Sequence, residues 1–232
     1  MQAVISLFDY TGEMVRPWIT AGYQAFIFDM QHDDPDGRAN PCKVGGLADT
    51  WDHDITWIFQ EFDVCMLFSF PPCTDLAISG AKHFAAKAIA NPNYLAEAMS
   101  LVYIGRDIGE AHRVPYMIEN PVGVISNPKN WRKPDFIFNP CEYGGYLPED
   151  DVSPHPGILP ARDAYTKKTC LWTGNGFVMP ERKPVEPVRF VGKHGLRFNP
   201  QTWLLGGKSL RTKNIRSMTP RGFAEAVYQA NS

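Results

Sequence analysis

The run Ala3-Val4-Ile5-Ser6-Leu7-Phe8-Asp9-Tyr10-Thr11-Gly12 decides how the rest of the chain is read. Its first six residues are mostly apolar with β-branched members, which predicts a buried strand, and Asp9 to Gly12 end it with turn residues. From Glu13 to Ala21 the apolar residues Met14, Val15, Trp18 and Ile19 recur at helical spacing, and Gly22 follows as a C-cap. Ala25-Phe26-Ile27-Phe28 then predicts a second strand that ends at Asp29. Strand, glycine-containing turn, helix, strand and terminal acid make a βαβ unit of the kind that binds a nucleoside. The turn approaches the ligand closely, and the acid accepts hydrogen bonds from ribose hydroxyls.

Further along, residues 30–53 are rich in Asp, Gly, Pro and His without a sustained period, and predict a loop with at most one helical turn. Asp54-Ile55-Thr56-Trp57 leads into the apolar run Val64 to Phe68, read as a strand that stops at Pro71-Pro72. Cys73 follows at once. Two prolines fix the backbone where the strand ends, so the thiol is expected at the carboxyl edge of the sheet, where open α/β folds place ligands. The competing reading is a small buried hydrophobe in a turn. The segment from Gly80 to Asn91, with Lys82, His83 and Lys87, is read as a mobile flap. Asn91-Pro92 starts a long helix with Leu95, Ala98, Met99, Val102 and Ile108 on one face. Pro115 to Ile118 predicts another strand, ending in Glu119-Asn120-Pro121; beside Cys73 in a parallel sheet, Glu119 faces the same ligand, and otherwise it is a surface carboxylate at a turn.

From Asn127 onward the chain turns to Trp, Pro, Gly and Asp, with candidate strands at Phe136–Phe138 and Thr169–Trp172. Residues 139–165 are read as a long functional loop, in which His155 is taken as a substrate or surface contact and is assigned no catalytic role. Thr219-Pro220 is read as N-cap and first turn of a last helix whose face of Phe223, Ala226, Val227 and Ala230 packs back on the sheet.

Composition sets the outer bounds. The chain has 232 residues, 44% of them hydrophobic, enough for one α/β domain with insertions. No segment has the length and apolarity of a membrane span, and the N-terminus lacks a basic region before a cleavable apolar stretch, so a cytoplasmic location is expected. Five scattered cysteines with no Cys-x-x-Cys pair indicate neither a disulfide framework nor a metal site. Net charge is −2, but residues 160–221 hold 13 Lys and Arg against 3 Asp and Glu. Such a basic stretch points to a nucleic-acid or phosphate partner, or else to a solvated face that offsets the acidic remainder.

In this order the landmarks resemble the S-adenosylmethionine-dependent DNA cytosine carbon-5 methyltransferases, in particular the short stand-alone members associated with phages and prophages. Ser6 to Gly12 resembles the cofactor turn and Asp29 the ribose acid. Asp54-Ile55 resembles the adenine contact, with Asp49 as a rival. Pro71-Pro72-Cys73 resembles the nucleophile motif, followed by Ser79-Gly80, and Glu119-Asn120 the family's Glu-Asn pair. Three features depart from the pattern. Asp9 stands where a first glycine is common, the loop between Cys73 and Ser79 is longer, and the Gln-x-Arg-x-Arg motif is missing, Tyr165 to Thr169 being its nearest basic replacement.

The resemblance implies a Rossmann-like methyltransferase sheet with helices on both faces and a small irregular substrate-side insertion. It implies one methyltransferase domain over 1–232, with a reduced, basic, loop-rich recognition region at 139–217. Cys73, Glu119 and Asn120 are then catalytic. Phe8, Asp9, Thr11, Gly12, Asp29, Asp54, Ile55 and Pro71 hold S-adenosyl-L-methionine; Ser79, Lys167, Lys168, Arg211, Lys213 and Arg216 hold substrate, and DNA is the partner. The same chemistry on a free cytidine nucleotide, or a non-catalytic DNA-binding module of this fold, are the alternatives.

Overall fold

The computed structural model describes residues 1–33, 39–195, 197–207 and 209–232. Residues 34–38 of the expected 30–53 loop, and Lys208 of the basic segment, lie outside the described residues. The chain forms two compact units, residues 1–137 with 169–177, and residues 138–168 with 178–232.

The first unit opens with β1 (Gln2–Leu7), α1 (Arg16–Thr20) and β2 (Gln24–Phe28), as the opening βαβ pattern predicts. It continues with β3 (Cys42–Val44), α2 (Asp52–Glu61), β4 (Asp63–Ser69), α3 (Phe84–Ala90), α4 (Tyr94–His112), β5 (Tyr116–Pro121), β6 (Phe136–Phe138) and β7 (Thr169–Gly174). The strands form one sheet in the order β3-β2-β1-β4-β5-β7-β6. Pairs from β3 through β5 are parallel, and β7 runs antiparallel to β5. The chain order reverses between β1 and β4, which makes their carboxyl ends the topological switch point of an open α/β sheet.

Strand alternation sorts the side chains to two faces. Ile5, Leu7, Phe26, Phe28, Leu67, Tyr116 and Ile118 are buried in one core with Ile55 and Ile58 of α2 and Ala98, Met99 and Val102 of α4. On the opposite face Phe68 meets Trp18 of α1, ring centroids 6.1 Å apart. One sequence expectation is corrected here: the loop over 30–53 contains β3, a three-residue edge strand too short to show alternation. The segment from Gly80 to Asn91, read as a mobile flap, carries helix, a 3-10 stretch at Ile78–His83 running into α3. The Asp54–Trp57 stretch proves to be part of α2, whose buried positions are Ile55 and Ile58, with Asp52 and Asp54 in the first turn where the helix dipole favours acids.

The second unit contains short 3-10 turns at Pro140–Glu142, Gly144–Tyr146 and Ala161–Asp163, so the 139–165 loop is built, with Tyr143 and Tyr165 fully buried. It adds the hairpin of β8 (Phe190–Val191) and β9 (Arg197–Phe198), then α5 (Pro200–Leu204), α6 (Leu210–Ser217) and α7 (Arg221–Asn231). Its core gathers Leu159, Tyr165, Leu205, Ile215 and Met218. The last helix packs on an aromatic surface that the built loop shares with the end of β6. Phe223 stacks on Phe138 at 4.2 Å and meets Tyr143 at 5.2 Å. The expected cap is corrected: the N-cap is Pro220 rather than Thr219, and Asp163 supplies the missing acceptor, taking the Gly222 N–H on its Oδ2 at 2.8 Å. No helix of the described residues is long and apolar enough to cross a membrane.

Candidate active site

The carboxyl ends of β1, β2, β4 and β5 lie along one edge of the sheet, since these strands are mutually parallel. Each carries a residue group singled out from the sequence: Phe8–Gly12 after β1, Asp29 after β2, Pro71–Cys73 after β4, and Glu119-Asn120 at the end of β5. Open α/β sheets bind ligands at this edge.

The β1 turn is held by an acid. Phe8 has φ +57, a conformation uncommon for a bulky residue, and Gly12 has φ +66. Between them Asp9 turns inward. Its Oδ2 accepts Ser6 Oγ–H at 2.8 Å; its Oδ1 accepts the Gly12 N–H at 2.8 Å and the Thr11 hydroxyl at 3.3 Å. The Asp9 N–H donates to the Phe28 carbonyl at 3.0 Å, joining the turn to the end of β2. Burial pushes the Asp9 carboxyl above its usual range, against the Gly12, Ser6 and Thr11 hydrogen bonds that pull it down. Asp9 therefore braces the turn from inside, its carboxylate engaged by Ser6, Thr11 and Gly12. Phe8 packs on Trp51 at 5.1 Å, and Trp51 on Phe28 at 5.2 Å.

Asp29 is half-buried, and its Oδ1 accepts the Gln31 N–H at 2.8 Å and the Gln31 Nε2–H at 3.1 Å. No hydrogen bond to a described residue engages Oδ2. Ile55, expected to touch the cofactor, is 5% exposed and packs in the core of the first unit. Asp54 is half-buried in the first turn of α2, and Asp49 is exposed.

At the end of β4, Pro71 is buried while Pro72, Cys73 and Thr74 are exposed. Cys73 is thus no core hydrophobe. Cys42, Cys141 and Cys170 are buried and Cys65 is half-buried. Burial pushes the Cys65 thiol up to about 11 and raises that of Cys141, which disfavours the reactive thiolate in both. The Cys73 carbonyl accepts the Leu76 N–H at 3.1 Å and the Ala77 N–H at 2.9 Å, closing a backbone turn that begins at Cys73.

The β4 and β5 loops are joined by contacts that local sequence patterns do not reveal. Asn120 is 1% exposed, and its Nδ2–H donates to the Pro71 carbonyl at 2.8 Å. Beyond it the Ile78 N–H donates to Val122 O at 3.0 Å and the Val124 N–H to Leu76 O at 2.9 Å, around an antiparallel bridge of Ala77 with Gly123. A Cβ on Gly123 would lie 2.1 Å from Leu76 O, so only glycine allows this approach. Glu119 is half-buried within β5, one residue before Asn120, whose amide reaches the loop that carries Cys73. On the other side Lys87 of α3 donates to Thr74 O at 3.0 Å and pairs with the Asp75 carboxylate. Ser79 is exposed in the 3-10 stretch. A glycine following an apolar strand hints at close backbone approach; nothing near Lys87 marks it as an anchor.

The remaining substrate candidates belong to the second unit. Lys167 Nζ donates to Arg216 O at 3.0 Å, and Arg216 Nη2 donates to Leu205 O. Both side chains therefore take part in holding α6. Lys168, Arg211 and Lys213 are exposed. Among the described residues no group of three or more His, Cys, Asp or Glu side chains is arranged to hold a metal ion.

The class these features define is an α/β protein with a seven-stranded, mostly parallel sheet and a residue-rich carboxyl edge. No protein-family model matches the chain, and no curated protein does.

Proposed function

We propose that the chain methylates carbon 5 of cytosine in DNA, with Cys73 as nucleophile and a Rossmann-like methyltransferase sheet as its frame. The observation that supports the reading is the joining of two strand ends: Asn120 bonded to Pro71 O, and Leu76–Ile78 paired with Val122–Val124, tie the loop that carries the exposed Cys73 to the end of the strand that carries Glu119. A protein that only bound DNA would need neither group.

The residues fit a nucleoside cofactor. The turn from Phe8 to Gly12 is braced from inside by Asp9, leaving its backbone to approach a ligand, and Asp29 has an oxygen for the ribose. S-adenosylmethionine, when bound, supplies an electrophilic methyl group. Cys73 does the activating step. Its thiolate forms a bond to carbon 6 of the cytosine, and the electrons of the 5,6 double bond move into the ring and make carbon 5 nucleophilic. Glu119, carrying its proton toward N3, stabilises the charge pushed into the ring. Asn120 keeps the Glu119 strand end in register with the Pro71 loop. After methylation, loss of the carbon 5 proton to solvent re-forms the double bond and expels the Cys73 thiolate. A cytosine in a duplex must leave the stack to reach Cys73. Within the second unit, the exposed cations Lys168, Arg211 and Lys213 suit DNA phosphates.

The test is covalent trapping. DNA bearing 5-fluorocytosine, incubated with cofactor, should yield an adduct that survives denaturation and maps to Cys73, because fluorine at carbon 5 does not leave as a proton. Cys73→Ser should abolish it with melting temperature and cofactor binding retained, and Glu119→Gln should slow it by about 100-fold with little change in DNA affinity. Trapping by a fluorinated nucleotide but not by DNA would assign the chemistry to free nucleotides. An adduct on another cysteine refutes the assignment, and no adduct or transfer with any cytosine substrate leaves a binding module.

A further inference from the structure

We propose that the β8–β9 hairpin and α5 form a platform for unpaired DNA, on which Trp203 stacks a base while Arg189, Lys193, Arg211 and Lys213 neutralise phosphates. The inference rests on the DNA reading for its class of partner and goes beyond it by naming the strand form and the residues that select it.

The ring is backed by built structure. Phe190 lies nearly parallel to Trp203, 17° between planes at 6.4 Å, and Phe198 sits 5.1 Å away. A Cβ on Gly192 would meet Phe198 at 2.7 Å and Trp203 at 3.2 Å, so the hairpin main chain itself lies against both rings. Yet Trp203 is 49% exposed, beside Leu204 at 41%. A large aromatic ring supported from behind and open in front costs hydrophobic burial, and is suited to a flat ligand.

The platform is anchored at both ends. Asn199 Nδ2–H donates to Thr166 O at 2.8 Å, next to Lys167 and Lys168. Leu205 is buried with Ile215 and Met218, and Gly206 O accepts the Thr212 hydroxyl at 3.3 Å, which docks α6 against the end of α5. Ser209 caps α6 through the Thr212 N–H at 3.2 Å. This fixes Arg211 and Lys213, both exposed, near the end of the aromatic element, while Lys193 stands in the turn of the hairpin.

Charge selects the partner. Residues 187–221 hold eight Lys and Arg and no Asp or Glu. A basic field with an open aromatic ring matches phosphates and base faces together, and aromatic side chains of this kind bind single strands with little sequence preference. In a duplex the base faces are already stacked on each other, so Trp203 discriminates in favour of unpaired strands.

The measurement is fluorescence anisotropy of the full chain with a labelled single-stranded 16-mer and with its duplex, at fixed salt. Trp203→Leu, which keeps an apolar contact on the hairpin but removes the stacking face, should weaken single-strand binding about tenfold and duplex binding by less than about threefold. Trp203→Phe should restore most of the loss. Unchanged single-strand affinity in the leucine variant, or an equal loss on the duplex, overturns the proposal. A dimer that the leucine substitution dissolves, with DNA affinity unchanged, would assign the patch to a second copy of the chain. Ultraviolet crosslinking of a 5-iododeoxyuridine strand to the unmodified protein needs no variant: label on the peptide containing Trp203 supports the platform, and label confined to residues 1–137 overturns it. Trapping at Cys73 on the same preparations separates the two ideas. Trapping with unchanged leucine-variant binding removes only the platform; lost binding without trapping removes only methyl transfer.

Discussion

Asn120 and Gly123 join the loop that carries Cys73 to the end of the strand that carries Glu119. Asn120 is nearly completely buried, and the bond from its amide to Pro71 O crosses between residues 49 apart in sequence. Gly123 admits the Leu76 carbonyl where any side chain would collide. Gly123→Ala should therefore cost about 1–3 kcal/mol of stability by overpacking and slow covalent trapping by about tenfold or more, because small displacements of reacting groups cost rate steeply. Cofactor binding at the β1 turn should change little. Chemical denaturation and trapping kinetics of this one variant check both; an unaltered trapping rate in a destabilised protein would show that the joined loops serve stability alone. The structure adds detail at single residues that the sequence does not show: Asp9 lies in the turn expected to meet a cofactor, and its carboxylate is engaged by Ser6, Thr11 and Gly12.

Among the elements, α7 carries an electrostatic liability at its first turn. Asp163 is 1% exposed, and burial pushes its carboxyl up to about 6 even though the Gly222 N–H and Arg221 pull it down. In the unfolded chain an aspartate titrates near its ordinary value of about 3.9. Between those values the folded state binds more protons than the unfolded state, so stability falls as pH rises from about 4 through about 6, and the cost is complete above that. A rise of that size corresponds to about 3 kcal/mol. Asp163→Asn keeps an acceptor for Gly222 and suits the positive φ of +46 at this position, where Asn is favoured. Thermal melts should show the variant losing less stability than the parent between pH 4 and pH 7, on the order of the window set by the two values. Parallel pH profiles would rule out Asp163 as the titrating group. The short elements were the least legible. Neither β3 nor the 3-10 turns of 140–163 has enough residues to display a period, and they exist because tertiary neighbours complete their hydrogen bonds and cores.

For the whole molecule, net charge is −2, so any attraction to DNA depends on how the charges are distributed. Lys167 and Arg216 are engaged in holding α6, and reversing them would confound binding with folding. Arg211 and Lys213 are exposed, which makes them the better probes. The double reversal Arg211→Glu with Lys213→Glu should weaken DNA binding and flatten its dependence on salt, by about 0.9 in logarithmic slope for each duplex phosphate no longer neutralised. Titrations between 50 mM and 200 mM salt, on the order of the range where counterion release is measured, check this. An unchanged slope would move the DNA interface elsewhere or favour a free nucleotide.

What the sequence determined by itself is the run of strong periodic elements and the chemistry at their ends. The βαβ opening, the strand before Pro71-Pro72-Cys73, the long helix after Asn91-Pro92 and the strand ending in Glu119-Asn120 were legible because burial on a sheet face or helix stripe writes itself into local spacing. Only the tertiary structure decided which of those ends are neighbours. Parallel pairing put four carboxyl ends on one edge, Asn120 and Gly123 bound two of the loops together, and the packing of α2 drew Ile55 into the core. These outcomes depend on contacts between residues far apart in the chain, and on shape at single atoms, which no local pattern of apolar and polar residues encodes.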